Sequence, residues 1–133
     1  MDGSSFEDDQ VAFDTENNFG YVFDDDGDPV GNHVGMAILS GANINFFAMD
    51  NTGDSNPTIS WDGFEDSEKW TALTSGKTYT SSGPSDISLM ISGGPLTLIP
   101  NSVTNIDFVL AAADDLSGLR DVISRARTNR RSD

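Results

Sequence analysis

The stretch from residue 93 to 116 constrains the fold of this 133-residue chain more than any other. Turn signals and apolar runs alternate along it without interruption: Gly93-Gly94-Pro95, Leu96–Ile99, Pro100-Asn101-Ser102, Ile106–Leu110 and the acidic opener Asp114-Asp115-Leu116. Glycine and proline interrupt regular structure, whereas alternating apolar residues favour a strand. The order therefore predicts a turn, a short strand, a turn, a long strand, a helix cap and a helix, which is a structural module rather than an active site.

The clearest alternation begins at Thr104. In an extended chain, successive side chains point to opposite faces. One face receives Ile106, Phe108, Leu110 and Ala112, and the other receives Asn105, Asp107 and Val109. We expect the first, apolar set to face the core and the polar set to face solvent or a polar partner.

Upstream, β-prone runs alternate with turn signals about every ten residues, which favours an antiparallel sheet protein. Strands are predicted at Phe19–Phe23, Val34–Leu39, Ile44–Met49, Thr58–Trp61 and Ile87–Ile91. We expect residues 34–39 and 44–49 to pair as a hairpin, because only a short break separates them. Residues 1–18 are polar and acidic, and they are predicted to form a loop or an irregular edge.

Two helices are predicted. The first covers Phe64–Leu73 and ends at Gly76, a residue that adopts positive φ easily. In it, Trp70 and Leu73 share one face and are expected to attach the helix to the sheet. The second starts with Asp114 or Asp115 as N-cap, and residues 114–131 make up this C-terminal helix and its basic tail. Its apolar stripe consists of Leu116, Leu119, Ile123 and Ala126, with Val122 beside it.

These elements predict a mainly β fold, an antiparallel β-sandwich with one short internal helix and a C-terminal helix. We expect residues 1–133 to form a single domain, since a chain of this length can bury a core. The sequence contains no cysteine, which removes disulfides and thiolate chemistry but does not fix the compartment.

The chain is strongly acidic, with 22 acidic and 7 basic residues and a net charge of -15. Such a field disfavours binding to nucleic acid or to anionic membranes. Five of the seven basic residues fall in the C-terminal helix and tail, where they can pair with the acidic body or complement the helix C-terminus: Arg120, Arg125, Arg127, Arg130 and Arg131. No apolar run is long enough to cross a bilayer, and we expect any export signal to lie outside this sequence.

One turn has the composition of a cation site. Asp24, Asp26 and Asp28 flank Gly27, and calcium prefers several carboxylate oxygens on a flexible turn. The spacing does not fit an EF-hand, because that alignment would place His33 at the last ligand position. The alternatives are a calcium site and a solvated acidic hairpin tip, and no cofactor is required by either the fold or the expected function.

Aromatic side chains suggest a second binding mode. Trp61 and Tyr79 are the candidates for an exposed face that stacks on a polysaccharide, although packing in the core is the commoner role. No catalytic residue is predicted, because the only histidine, His33, lies at a strand entry and no serine has a base placed beside it. We therefore expect a protein that is not an enzyme.

Three blocks of sequence resemble an accessory β-domain found in secreted bacterial proteins, often downstream of subtilisin-like peptidase domains and ahead of a C-terminal sorting signal. The matching residues are Asp62-Gly63-Phe64 with Asp66, Glu68-Lys69-Trp70, Leu73–Gly76, Ser82-Gly83-Pro84 with Asp86 and Ser88, Gly94-Pro95, Thr97-Leu98, Phe108, Leu110 and Asp114-Asp115-Leu116. They cover about the last seventy residues. Ala113 departs from the pattern, which usually has glycine before the acidic pair.

The resemblance implies an extracellular or cell-surface location and a non-catalytic role. It also implies that the sequence is a fragment lacking upstream strands, which would leave a sheet edge open to strand addition. We therefore expect a structural or interaction domain of a larger bacterial protein, bound to a protein partner or to itself. The alternative is a calcium- or carbohydrate-binding module.

Overall fold

The computed structural model describes residues 7–24, 32–40, 43–52 and 63–130. Seven strands and two helices lie within these ranges. In chain order they are β1 (Asp9–Asp14), β2 (Phe19–Asp24), β3 (His33–Ile38), β4 (Ile44–Asp50), α1 (Asp66–Thr74), β5 (Ser81–Ser82), β6 (Ile87–Gly93), β7 (Phe108–Ala113) and α2 (Leu116–Arg130). The predicted strand over residues 58–61 lies outside the described ranges.

The strands form two antiparallel sheets. The larger sheet has the order β5-β1-β2-β3-β7, and the smaller sheet pairs β4 with β6. The smaller sheet packs on one face of the larger sheet, α2 packs on the other face, and α1 lies on the outer side of the smaller sheet. The mainly β architecture with a short helix and a C-terminal helix is confirmed, and the two packed sheets are consistent with a β-sandwich.

Each interface between layers has its own apolar cluster. Val11 and Phe13 of the larger sheet meet Phe46 and Ala48 of β4. On the opposite face, α2 contributes Leu119 and Ile123, which are fully buried against strand residues. A third cluster joins β4 to α1 through Phe47, Met49 and Ala72. The core is therefore divided among three parallel interfaces.

The predicted hairpin between residues 34–39 and 44–49 is wrong. β3 pairs with β2 and β7, whereas β4 pairs with β6 in the other sheet. The reason is that four consecutive residues of β4, from Phe46 to Met49, are buried. Their side chains alternate between the larger sheet and α1, so β4 needs a covering layer on both faces.

The N-terminal prediction of a loop or an irregular edge also needs correction, because residues 9–14 form β1, which pairs with β2 and β5. Val11 and Phe13 lie on the same face of β1 and fill the space under β4, so this acidic segment becomes the second strand of the larger sheet. The short strand predicted at Leu96–Ile99 is absent, since residues 94–99 have no strand pairing. The turn after it is present, and Ser102 donates its backbone N–H to the carbonyl of Ile99.

Both predicted helices are confirmed. Glu65 and Glu68 form a reciprocal capping box at the start of α1. Asp115 caps α2, because its Oδ1 accepts the backbone N–H of Gly118 at 2.7 Å. The buried residues of α2 are Leu119 and Ile123, two members of the predicted stripe.

The predicted inner face of α1 is wrong. Trp70 is 69% exposed and Leu73 is 37% exposed, while Ala72 is the buried residue of the helix. Trp70 and Ala72 are two residues apart and therefore lie on nearly opposite sides of the helix, so only one of them can face the sheet. The bulky Phe47 and Met49 already fill that surface, and a small residue allows the helix to approach them.

Two glycines allow close approach between layers. A Cβ atom at Gly20 would lie 2.1 Å from the ring of Phe46, and one at Gly35 would lie 2.9 Å from Leu119. The first contact lets the smaller sheet pack closely on β2, and the second lets α2 pack closely on β3. Phe46 and Leu119 are fully buried in a packed interior and have no free space to move into, so both close contacts require a residue without a side chain.

Gly20→Ala is expected to lower the free energy of unfolding by about 1–3 kcal/mol, because the added methyl group overpacks the junction between sheets. Urea denaturation followed by fluorescence measures this change. The double variant Gly20→Ala/Phe46→Leu should recover part of the loss relative to the sum of the two single variants. Strictly additive losses would show that Gly20 does not act through the Phe46 ring.

Candidate functional site

The candidate site is the outer side of β7, which forms one edge of the larger sheet. Among the described strands, β7 pairs with β3 alone. The carbonyl of Asp107 accepts the N–H of Leu39 at 2.8 Å, so the backbone of Asp107 is directed toward β3. Since hydrogen-bonding directions alternate along an antiparallel strand, the backbone groups of Phe108, Leu110 and Ala112 are directed toward the open edge.

The side chains of β7 have the opposite arrangement from the one predicted. Val109, Ala111 and Ala113 pack under α2, whereas Phe108 and Leu110 are 51% and 70% exposed. The predicted core set is therefore wrong. The smaller sheet packs over β1, β2 and β3 and leaves that face of β7, which carries Phe108 and Leu110, less covered. The opposite face of β7 is covered by α2.

Most of the large exposed apolar side chains belong to β7 or to the segment that precedes it in the sequence. Of the eight large ones exposed among the described residues, six lie between residues 96 and 110: Leu96, Leu98, Ile99, Val103, Phe108 and Leu110. Residues 87–106 also carry no charged side chain. Residues 29–49 also lack Asp, Glu, Lys and Arg, but they contain the largely buried strands β3 and β4. The uncharged stretch 87–106 differs from them because exposed apolar side chains lie in it and next to it, as expected of a contact surface.

The other two exposed apolar residues, Trp70 and Leu73, line a cavity of about 490 Å³. Its remaining lining comes from α1, β4, β6 and the turn after β6: Asn45, Thr74, Ser92, Gly93, Gly94 and Pro95. The cavity contains no charged side chain. Trp70 was predicted to lie on the inner face of the helix, so the sequence did not indicate its place in this cavity.

The polar side chains of the Trp70 cavity bond to one another and to backbone. Asn45 donates to Ser92 Oγ at 3.1 Å, and Ser92 donates to the carbonyl of Leu73 at 2.6 Å. Thr74 donates to the carbonyl of Trp70 at 2.7 Å. With these hydroxyl and amide donors engaged, the cavity suits an apolar group better than a sugar, which needs donors as well as a flat ring.

Three arginines of α2 fix the helix against the sheet and thereby support β7. Arg120 Nε lies 2.7 Å from Asp14 Oδ2, and Arg127 donates to the carbonyls of Asn17 and Asn18. Arg130 pairs with Asp107, the residue before β7, and also donates to the carbonyl of Leu39 at 3.0 Å. Of the two options for the basic residues, pairing with the acidic body is thus observed for Arg120 and Arg130, and Arg127 bonds to backbone carbonyls of the body.

The Asp14 carboxylate is the most buried member of these ion pairs. Its side chain is 3% exposed, compared with 44% for Arg120. Burial alone would raise the pKa of Asp14, but hydrogen bonds from Arg120 and Asn17 outweigh it and lower the pKa below 3.8. The same ion pair raises the pKa of Arg120. The folded protein therefore favours the ionised carboxylate.

Of the predicted metal ligands, only Asp24 lies in the described part of the chain, and Asp26 and Asp28 fall outside it. Asp24 is directly opposite Asp9 in the β1–β2 ladder. Burial, and then the negative charge of Asp24 and other neighbouring acids, raise the pKa of Asp9. Within the described ranges no three acidic or histidine side chains are grouped to hold a metal ion, and calcium binding at this turn stays a prediction.

The predicted aromatic and histidine positions also have definite locations. Trp61 lies outside the described residues. Tyr79 is half-buried and packs on Phe47, with ring centroids 4.5 Å apart. His33 begins β3 and stacks on Phe23 at 5.4 Å with an interplanar angle of 8°. Tyr79 and His33 thus both contact aromatic rings of the fold.

Comparison of the chain with known protein families, curated proteins and solved structures finds no match. In the described ranges, neither helix has the length and apolar character that crossing a membrane requires.

Asp14→Asn is expected to lower the free energy of unfolding at pH 7 by about 1–3 kcal/mol, because a buried charged acceptor is lost. The stabilisation from a lowered pKa is present above the ordinary value of 3.8 and is lost as pH falls through the lower value of the folded state. The difference from wild type should therefore persist at neutral pH and shrink only below about 3.8. Thermal melts across acidic pH measure it.

Asp121→Asn is the matched control, because it removes the same charge from an exposed position on α2. Its melting temperature should stay close to that of the wild type throughout the range. Equal effects of the two variants would mean that total charge, rather than the contact of Asp14 with Arg120 and Asn17, controls acid stability.

Proposed function

We propose that the protein is a non-catalytic interaction domain that binds a protein partner along the open edge formed by β7. The observation that carries this proposal is the combination of outward backbone groups at Phe108, Leu110 and Ala112 with exposed apolar side chains on the same strand. A strand added here would satisfy the backbone groups and cover Phe108 and Leu110. Both gains come from one binding event.

The charge distribution favours a partner that binds through hydrogen bonds and apolar contacts rather than through charge attraction. The exposed apolar residues lie in or next to the uncharged segment 87–106, so hydrogen bonding and apolar burial act there without desolvating carboxylates. An acidic surface elsewhere keeps the protein soluble and discourages binding to other faces. The site thus combines selectivity with an exposed apolar edge.

The setting we propose is extracellular, as part of a larger secreted or surface protein of bacteria. This setting depends on the resemblance of residues 62–116 to accessory domains of secreted peptidases, and the acidic composition is compatible with it. In such a protein the domain acts by docking or assembly, without turnover of a substrate.

Photocrosslinking tests the binding edge directly. Replacement of Phe108 by benzoylphenylalanine preserves an aromatic side chain and places the reactive group on β7. Irradiation with the secreted proteins of the source organism is expected to give a discrete adduct, because a strand paired with β7 lies within contact distance of this position.

Ser124 on the exposed side of α2 is the matched control position. The adduct should be absent from the control and should disappear when Leu110→Lys is combined with the probe at 108. No adduct at 108, or the same adduct from both positions, would contradict binding at β7.

A further inference from the structure

We infer that the occupant of the β7 edge is a second copy of this chain, paired antiparallel about a two-fold axis at Leu110. This inference rests on the proposed function, because it names the partner of the same edge. The two larger sheets would then join into one continuous sheet through their β7 strands.

The backbone of β7 is complementary to itself. The outward groups belong to Phe108, Leu110 and Ala112, which are evenly spaced around Leu110. When Leu110 faces Leu110 of the second copy, Phe108 faces Ala112, and the reverse pair completes the ladder. About six hydrogen bonds form, since each of three facing pairs exchanges two. All the outward groups of both strands are used in this register.

The side chains agree with the same register. Residues that face each other in an antiparallel pair lie on the same side of the sheet. Phe108 and Leu110 of both copies therefore form one apolar strip across the junction, and each covers surface that is exposed in the single chain. On the other side, Val109 faces Ala111, and both already lie in the layer beneath α2.

Charge disfavours one neighbouring register, and the loss of facing pairs disfavours the other. With Leu110 at the axis, Asp107 faces Ala113, so no carboxylate opposes another. A shift of one pair toward the C-terminus brings Asp107 opposite Asp115 and Phe108 opposite Asp114, which like charge and desolvation disfavour. The opposite shift places Phe108 opposite Leu110 but moves Ala112 opposite Ile106, which lies outside β7, so only two of the three facing pairs remain. For two chains of net charge -15, the Leu110 register brings hydrogen-bonding and apolar groups together without adding acidic contacts.

Sedimentation equilibrium of the purified full chain measures the association. Wild type is expected to shift from one to two chain masses as concentration rises. Leu110→Lys should weaken dimerisation at least about tenfold, because both copies lose a buried leucine and gain facing ammonium groups. Trp70→Lys is the matched control: Trp70 has nearly the same exposure, 69% against 70% for Leu110, but lies on α1, away from the β7 edge. Circular dichroism confirms that both variants are folded.

Cysteine trapping tests the register, and the natural chain contributes no thiol. Leu110→Cys should form a disulfide-linked dimer on mild oxidation, because facing Cα atoms in a hydrogen-bonded pair are about 5.5 Å apart. Phe108→Cys alone should not, since its counterpart is displaced by four residues, or about 13 Å. A mixture of Phe108→Cys and Ala112→Cys should crosslink.

The outcomes distinguish binding at β7 from the identity of the molecule that binds there. A strict monomer at all concentrations, or equal losses from Leu110→Lys and Trp70→Lys, would overturn the second copy as occupant. If a different protein is then crosslinked at position 108, binding at β7 stands and only the identity of the partner changes. A monomer that also gives no specific adduct removes both.

Discussion

Burial of β4 on both faces is the constraint on which the arrangement of layers depends. Phe46 and Ala48 pack on the larger sheet, while Phe47 and Met49 pack on α1. A strand of this kind belongs in the interior of a layered structure, and two strands provide only a narrow inner sheet. The contact of Phe46 with Gly20 then fixes where that narrow sheet sits on the larger one.

The position of the inner sheet explains the exposed edge. β4 and β6 pack over β1, β2 and β3, so Phe108 and Leu110 remain largely uncovered although they lie on the same face. The reverse face of β7 is covered by α2, whose arginines bond to Asp14, Asp107 and nearby carbonyls. A strand that is rigidly supported on one face and open on its edge is already organised for pairing, so little ordering cost remains for a partner.

Much of the fold follows from local sequence. Capping residues and apolar stripes located α2, and turn signals separated β2, β3, β4 and β6. Sheet membership did not follow, because pairing between β3 and β7 joins distant parts of the chain and local patterns do not encode it. The face of β7 was inverted for a related reason: alternation identifies two sides of a strand, but only the neighbouring layers decide which side is buried.

The site was less predictable than the fold. Trp70 and Leu73 have helical spacing that is equally consistent with an inner and an outer face, and Ala72 carries too weak an apolar signal to decide. For β7, the sequence indicated that an edge could be open, yet the particular strand became clear only from the strand order. Asp26, Asp28 and Trp61 lie outside the described ranges, so their predicted roles in calcium or carbohydrate binding stay predictions.

The ion pairs that arginine forms within one molecule bear on the rate at which two molecules meet. Arg120 and Arg130 form ion pairs with Asp14 and Asp107 of the same molecule, so these cations are engaged within the fold. The excess of 22 acidic over 7 basic residues makes the long-range field of each molecule strongly negative. Two such molecules repel during their diffusional approach, while the contact itself involves neutral groups. Dissolved ions screen the approach more than the contact, so encounter should quicken with ionic strength while the lifetime of the joined state changes little.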